Sequence, residues 1–429
     1  MPGITGLVGP ESDPELLPRM LERMRHHSWY ATDEWTGSDG PAALGRVSLG
    51  YVNTAPQPAA NAAGTARAVL EGEIYDYPLL RKELESKGHT FRGDSHAELL
   101  LRGWEQDGVG FVRRLNGCFA AAIWDAPAKT LTLLNDRFGM RPLYYSHSPG
   151  KLLFGSELKT LLADPDLSRA ADPRGLAEFF TFGQYLGDTT SFAAISLLPA
   201  AGVLTYRAAD DRVELTRYAR LGETWKLGSG SANDALDRID AAFAKSVARC
   251  TNGTANLGLS LSGGLDARTI LGVIDLEQPV TTVCLGMEGS IDVKCAAELA
   301  RLTGRKHHTH TLGTQFLADF HRHMLHMVRL TDAQYLCQCI VMPTLPLYRE
   351  LGIEVLVRGH AGELMHMTKA YNFSFDDQTL GLTDVGLDDW LWRRLQSHML
   401  DGVDGPLFTP SFGTDIAEQA RSSLRLSMK

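Results

Sequence analysis

The sequence predicts an α/β protein in two parts: a first half in which helices flank short strands, and a second half built as a doubly wound, mostly parallel sheet. Three observations lead there. Strand-like apolar runs separated by turns dominate the first half. Strand and helix signals alternate through the second. Between them a polar stretch containing Gly228-Ser229-Gly230-Ser231 breaks the pattern. The expected organisation is a first domain over residues 1–208, a linker over 209–232 and a second domain over 233–429 whose helical C-terminal part is short.

In chain order, strands are expected over Ala43–Tyr51, Ala66–Ile74, Cys118–Trp124, Leu131–Leu134 and Leu152–Ser156. Helices fall between them at Pro14–Arg25, Tyr77–Lys87 and His96–Asp107, as suits a sheet covered by helices. Past the linker, a helix over Asp234–Arg249 leads into a buried strand that starts at Leu257. A strand at Thr281–Leu285, a helix at Val293–Thr303, and strands at His307–Thr311 and Val355–Val357 complete the parallel sheet. Ligands of such sheets bind beyond the carboxyl ends of the strands, where Ser262 and Gly359 lie.

Composition bounds the function. A chain of 429 residues is long enough for two cores. A net charge of −9 with no basic cluster argues against a nucleic-acid partner. No 18-residue apolar run and no signal-like N-terminus occur, so neither a membrane nor export is expected. Six cysteines without framework spacing suit a reducing, cytoplasmic setting. Cys337 and Cys339 read as buried thiols, and His307, His308 and His310 as an edge strand or loop, since neither group has the partners a metal needs.

The most informative segment is Leu257 to Arg268. An apolar strand ends in Leu261-Ser262-Gly263-Gly264-Leu265-Asp266-Ala267, and a helix-like run follows from Thr269 to Asp275. The paired glycines let backbone amides approach a polyphosphate at the positive end of the helix. Ser262 adds a hydroxyl, and Asp266 beside phosphates suits Mg²⁺. The Gly-Lys-Ser/Thr ending of a Walker A loop is absent. Ser-Gly-Gly-Leu-Asp resembles the pyrophosphate loop of ATP pyrophosphatases, with Ala267 where a serine is usual.

Taken together with the first half, the chain resembles the asparagine synthetase family, which includes β-lactam and lasso-peptide macrolactam synthetases. In the first half the resemblance rests on Glu71-Gly72-Glu73-Ile74-Tyr75, Leu115 to Phe119, Asp136-Arg137-Phe138-Gly139, Pro142-Leu143-Tyr144 and Ser156 to Lys159. In the second it rests on Ser262 to Asp266, on Leu285-Gly286 at the expected adenine wall, and on Arg358-Gly359-His360-Ala361-Gly362-Glu363. It implies an αββα N-terminal-nucleophile fold, two sheets between helix layers, followed by an ATP pyrophosphatase domain.

Departures from the family pattern shape the expected activity. Glutamine-using relatives place a cysteine where this chain has Pro2, which carries no nucleophile. The asparagine of their oxyanion hole is replaced by Glu71, whose charge would repel a developing oxyanion. His27-Ser28-Trp29-Tyr30 replaces Arg-Gly-Pro-Asp, and His96 stands where an acid would hold the substrate amine. Arg46 survives at the position expected to meet a glutamine carboxylate, yet alone it reads as structural. The first domain is therefore expected to be an inactive glutaminase.

The second domain is expected to bind ATP and Mg²⁺, with Asp266 and Glu363 as metal ligands. His360 is a candidate base for an attacking amine or a hydrogen-bonding support, and Asp332, Gln334 and Tyr335 are weaker candidates for meeting the substrate. The leading expectation is an AMP- and pyrophosphate-forming amide ligase acting on small-molecule or peptide carboxylate and amine substrates without hydrolysing glutamine. Glutamine-dependent asparagine synthesis and a non-catalytic nucleotide-binding subunit that needs a partner are the alternatives; a homodimer or a helper subunit stays open. The family's Arg-x-Pro-Phe-Leu-Asp-like stretch and C-terminal lysine are not recognisable before Lys429. The expectation is that a natural tail is missing, that a partner supplies the cation, or that adenylation is slow.

Overall fold

A computed structural model of the chain describes residues 2–38, 42–224, 230–251, 253, 256–333, 339–360, 362, 381–395 and 408–427. Two compact units emerge, Met1–Trp225 together with Thr383–Lys429, and Lys226–Leu382.

The first unit's strands, in chain order, are β1 (Gly3–Val8), β2 (Ala31–Thr36), β3 (Ala42–Ser48), β4 (Ala59–Ala60), β5 (Ala66–Ile74), β6 (Gly117–Asp125), β7 (Thr130–Asn135), β8 (Tyr144–Ser148), β9 (Lys151–Gly155), β10 (Ser196–Leu197), β11 (Gly202–Arg207) and β12 (Arg212–Arg217). They pair as two antiparallel sheets, β10-β8-β9-β1-β3-β2 and β12-β11-β7-β6-β5-β4. Strand alternation decides what each face meets. On β5, Val69 points at the other sheet, joining Ile4, Leu44, Leu133 and Phe154 in the central layer. Its neighbours Ala68 and Leu70 point outward to Leu80 and Leu84 of helix α2 (Tyr77–Ser86) and Leu99 and Leu100 of α3 (His96–Asp107). The first sheet is covered likewise by Leu17, Met20, Leu21 and Met24 of α1 (Leu16–Met24) and Leu161 of α5 (Leu158–Leu161), the short α4 (Val109–Val112) having joined α3. This is the expected αββα arrangement.

Two differences from the sequence reading have physical causes. β1 was not anticipated, because its glycines depress strand propensity; they are there because space demands it, a Cβ on Gly3 meeting Ser156 Cβ at 2.3 Å. β12 lies inside the expected linker. Arg212-Val-Glu-Leu-Thr-Arg217 is polar because it is an exposed sheet edge paired only with β11, where charge is the rule.

The second unit holds β13 (Leu257–Ser260), β14 (Val280–Gly286), β15 (Lys306–Thr311) and β16 (Val355–Arg358) in the order β15-β14-β13-β16, all parallel. Helices α7 (Ala232–Thr251), α8 (Leu265–Val273) and α9 (Ile291–Leu302) supply apolar residues to a core around Leu257, Leu259, Ile270, Leu271 and Ala296. His307, His308 and His310 sit on the edge strand β15, with His307 Nδ1 hydrogen bonded to Thr282 Oγ1 at 2.8 Å. The chain runs β13, β14, β15 outward and then crosses to β16 on the far side of β13. The direction of winding thus reverses between β13 and β16, the topological switch point of a doubly wound sheet.

The helices of residues 383–429 were expected in the second domain, but they complete the first unit. Numbering α6 (Pro173–Phe182), α10 (Thr314–Ala318), α11 (Phe320–Thr331) and α12 (Thr344–Glu350) in order makes these α13 (Asp384–Leu395) and α14 (Pro410–Ser427). Ile416 and Ala420 of α14 pack on Ala177 of α6, and Arg174 Nε donates to Ser423 Oγ. The apolar residues of α6 explain the difference, since Ala177, Phe180 and Phe182 form one cluster with Trp392, Ile416 and Ala420.

Candidate functional site

At the switch point, the buried β13 ends at Ser260 and the chain turns through Leu261-Ser262-Gly263-Gly264 into α8. Leu261 is buried and its N–H donates to Val283 O at 2.9 Å, which ties the turn to β14. Gly264 caps α8 with no side-chain bond to the first helical amides, leaving the dipole's positive end open. Leu265 is exposed, while the methyl of Ala267 is buried in the core. A hydroxyl at position 267 would be carried inward with it.

Asp266 links the two strands of the crevice. Its Oδ2 accepts the Gly362 N–H at 3.2 Å. A Cβ on Gly359 would meet Ala267 N at 2.3 Å, and one on Gly362 would meet Asp266 Oδ1 at 2.2 Å. The two glycines after β16 are therefore what lets this turn lie against the helix start. Arg358, opposite Ser260 across the ladder, and His360 are both exposed there. Leu285 lies near the carboxyl end of β14, half-buried. Asp332 is the left-handed C-cap of α11, at φ 50°. Glu363, Gln334 and Tyr335 lie outside the described residues.

Two residues that sequence reading passed over act directly on the loop. Gly263 N–H donates to Asp292 Oδ1 at 3.1 Å, so a carboxylate already sits on an amide suited to phosphate. Arg268 Nη2 donates to Gly263 O at 2.6 Å and holds the turn from the other side. Gly264 N–H finds Ser262 Oγ at 3.2 Å. Asp292 occupies the first turn of α9, 29 residues downstream, and only the strand-helix order of the sheet could have linked it to the loop. For a hard cation, Asp266 offers carboxylate oxygens at the helix start, the donor type Mg²⁺ takes. Among the described residues no cluster of three acidic, histidine or cysteine side chains surrounds a single point.

In the first unit, Pro2, Gly3, Glu71, Cys118, Arg141 and Ser156 line a cavity of about 180 Å³. Pro2 brings neither thiol nor hydroxyl to it. Glu71 is buried, 3.9 Å from Arg46 Nη1, and its Oε2 has no hydrogen-bond partner. Burial pushes its carboxyl up to about 7, Arg141 and Arg46 pulling the other way. Burial likewise raises Glu73. Gly72, at φ 110°, passes so close to β6 that a Cβ would meet Cys118 O at 2.1 Å. Arg46 is committed to structure: its Nη2 lies 2.7 Å from Asp33 Oδ2, and Nη1 donates to Asn53 O at 2.7 Å. His96 stacks on Tyr77 with centroids 4.6 Å apart, and its Nδ1 accepts the Ile74 N–H at 2.9 Å. Burial lowers its pKa to about 4, so near neutral pH it is an uncharged ring that no ammonium group would seek. Asp136 organises the cavity's rim, accepting the N–H groups of Phe119, Phe138, Met140 and Arg141.

Comparison with known proteins agrees with both halves. The family model of the glutamine amidotransferase domain matches residues 1–219, and that of asparagine synthase matches residues 238–401. The glutamine-hydrolysing asparagine synthetase 3 of Bacillus subtilis is 33% identical over 217 residues, which is 49% of this chain and 34% of that protein. A putative glutamine-hydrolysing asparagine synthetase of Mycobacterium tuberculosis is 28% identical over 326 residues, 70% of this chain and 49% of its own. The chain thus spans half or less of the length of these curated relatives. Among solved structures, the glutamine phosphoribosylpyrophosphate amidotransferase of B. subtilis, complexed with ADP and GMP, is similar at a TM-score of 0.38 and 12% identity, over 85% of this chain and 92% of that one.

Proposed function

This chain belongs to the asparagine synthetase family, and we propose that it is an ATP-dependent amide ligase that releases AMP and pyrophosphate and does not draw ammonia from glutamine. The observation that carries the reading is the corner at the switch point, where Gly359 and Gly362 close on Asp266 beside the uncapped start of α8. That corner offers backbone N–H groups and a positive dipole end to a polyphosphate, and a carboxylate to the cation that accompanies it. Asp266 and Glu363 would hold Mg²⁺, which when bound neutralises phosphate charge and orients the α-phosphorus.

In the proposed reaction a substrate carboxylate oxygen attacks the α-phosphorus, pyrophosphate departs, and the acyl-AMP is captured by an amine with loss of AMP. Gly263, Gly264 and the first amides of α8 bind the departing pyrophosphate, Arg358 adds positive charge from the end of β16, and Leu285 supports the nucleobase. His360, exposed next to Gly359, is our candidate to take the proton the amine nitrogen loses. Support for a glutamine-independent reaction comes from Pro2, the buried Glu71 and the uncharged His96 in the first unit's cavity.

The test is incubation with ATP, Mg²⁺ and a panel of carboxylates and amines, with AMP, pyrophosphate and glutamate measured. AMP and pyrophosphate in equal amounts, with no glutamate from added glutamine, are expected; ADP and phosphate, or glutamate release, would refute the reading. Asp266→Asn should lower the thermal shift produced by ATP and Mg²⁺ to near zero while the nucleotide-free protein melts unchanged. An undiminished shift would remove Asp266 from the metal site. A second reading, a nucleotide-binding subunit without chemistry of its own, is favoured by Ala267, whose buried methyl brings no hydroxyl to the loop; nucleotide binding with no turnover on any substrate would support it.

A further inference from the structure

The two sheets of the first unit leave a second opening. Pro2 and its cavity lie at the start of β1, whereas Gly9 and Pro10, just past its end, border another cavity of about 550 Å³. Six strand residues separate the two, a span of roughly 20 Å at the usual rise per residue. The far cavity is the larger and falls within the size range of sites for small organic ligands.

Its walls have a defined chemistry. Trp35 comes from the edge strand β2 of one sheet and Trp124 from β6 of the other, so two indoles border one opening. Trp124 is buried at 7% exposure, and Trp35 is half-buried against the central layer. Gly37 and Gly64 line the cavity without side chains, and a Cβ on Gly64 would meet nothing within 4 Å, so space remains open there. The charges are of one sign. Arg67, paired in register with Trp124, sets its guanidinium 4.8 Å from the Trp35 ring centre, and Lys129 reaches the rim from the β6–β7 turn. Among the described residues no carboxylate lines the cavity and neither cation makes an ion pair, although the chain as a whole carries a net charge of −9. Stacking on an indole leaves a guanidinium's charge in place, so Arg67 still attracts an anion.

We propose that this cavity binds a small planar aromatic anion, its ring against Trp35 and Trp124 and its charge met by Arg67 and Lys129. The anionic group is a carboxylate or a phosphate monoester; both present oxygens to the same two cations. A neutral aromatic molecule would leave both cations unanswered, and a non-aromatic anion would leave the indoles without a partner.

The full chain titrated calorimetrically with indole-3-carboxylate, phenyl phosphate, indole and inorganic phosphate tests this. One of the two aromatic anions is expected to bind saturably, one per chain, while indole and inorganic phosphate bind at least about tenfold more weakly. The better anion identifies the charged group. Lys129→Met, a change at an exposed turn position that leaves both cores intact, should weaken that anion about tenfold, and Arg67→Met should do the same. Should Arg67→Met fail to fold, Lys129→Met and Trp35→Phe, the latter expected to retain most affinity, decide the matter. No saturable binding of either aromatic anion below about 10 mM, or binding that Lys129→Met leaves unchanged, would overturn the proposal.

Discussion

Glu71 keeps a carboxyl group where almost no water reaches it. Its pKa is raised from the ordinary 4.5 to about 7, chiefly by burial. Below pH 4.5 the group is protonated in both the folded and unfolded chain; between there and 7 the unfolded chain releases a proton that the folded one retains. The contribution of Glu71 to stability therefore falls as pH rises through that window, by on the order of 3 kcal/mol. Glu71→Gln keeps the shape and removes this titration, so its stability relative to the parent should rise by about that amount from pH 5 to 8, the His96 and Glu73 titrations being common to both, as urea melts at each pH would show. An unchanged slope would mean Glu71 is better solvated than its surroundings imply. At the other site, Asp292 competes with phosphate for the Gly263 amide. Asp292→Ala should tighten ATP or pyrophosphate binding about tenfold in calorimetry. Weaker binding would instead make Asp292 part of the nucleotide site.

The contact of the β16 turn with α8 is made backbone to backbone. Because Ala267 N and Asp266 C stand 2.3 and 2.5 Å from a Cβ on Gly359, neither can swing aside as a side-chain tip would. Gly359→Ala is expected to cost roughly 1–3 kcal/mol and to abolish the thermal shift with ATP; a variant that melts and binds like the parent would refute this tight fit. How much of these elements was legible followed from their chemistry. The run Leu257–Ser260, its glycine turn and its helix were readable because burial on both faces, a break and a new period come in succession. Pro2, Glu71 and His96 were readable as departures because each removes a functional group. Asp292 was not, since its partner is 29 residues away and first-turn acids on helices are common. β1 and β12 escaped for opposite reasons: one hides glycines at tight contacts and the other carries charge on an edge.

At the scale of the whole chain, the second unit is inserted into the first, which is broken after Trp225 and resumes at Thr383. The seam is the packing of α14 on α6. Ile416, Ala420 and Leu424 recur every fourth residue of α14, and all are buried. Ala420→Asp places a carboxylate in that apolar contact and should destabilise the first unit by roughly 2–4 kcal/mol. Calorimetric scanning should then show an earlier transition that ATP does not move, together with a nucleotide-sensitive one at the parent temperature. A uniform shift of both would mean that the units unfold as one.

That seam also sets a schedule for biosynthesis. A ribosome delivers the strands of both antiparallel sheets long before it reaches residue 383, so the nascent sandwich waits with the apolar flank of α6 bare while some 150 intervening residues emerge. Translation stalled or cut short within the insertion would release a polypeptide displaying that flank, a surface that chaperones and proteases are built to notice.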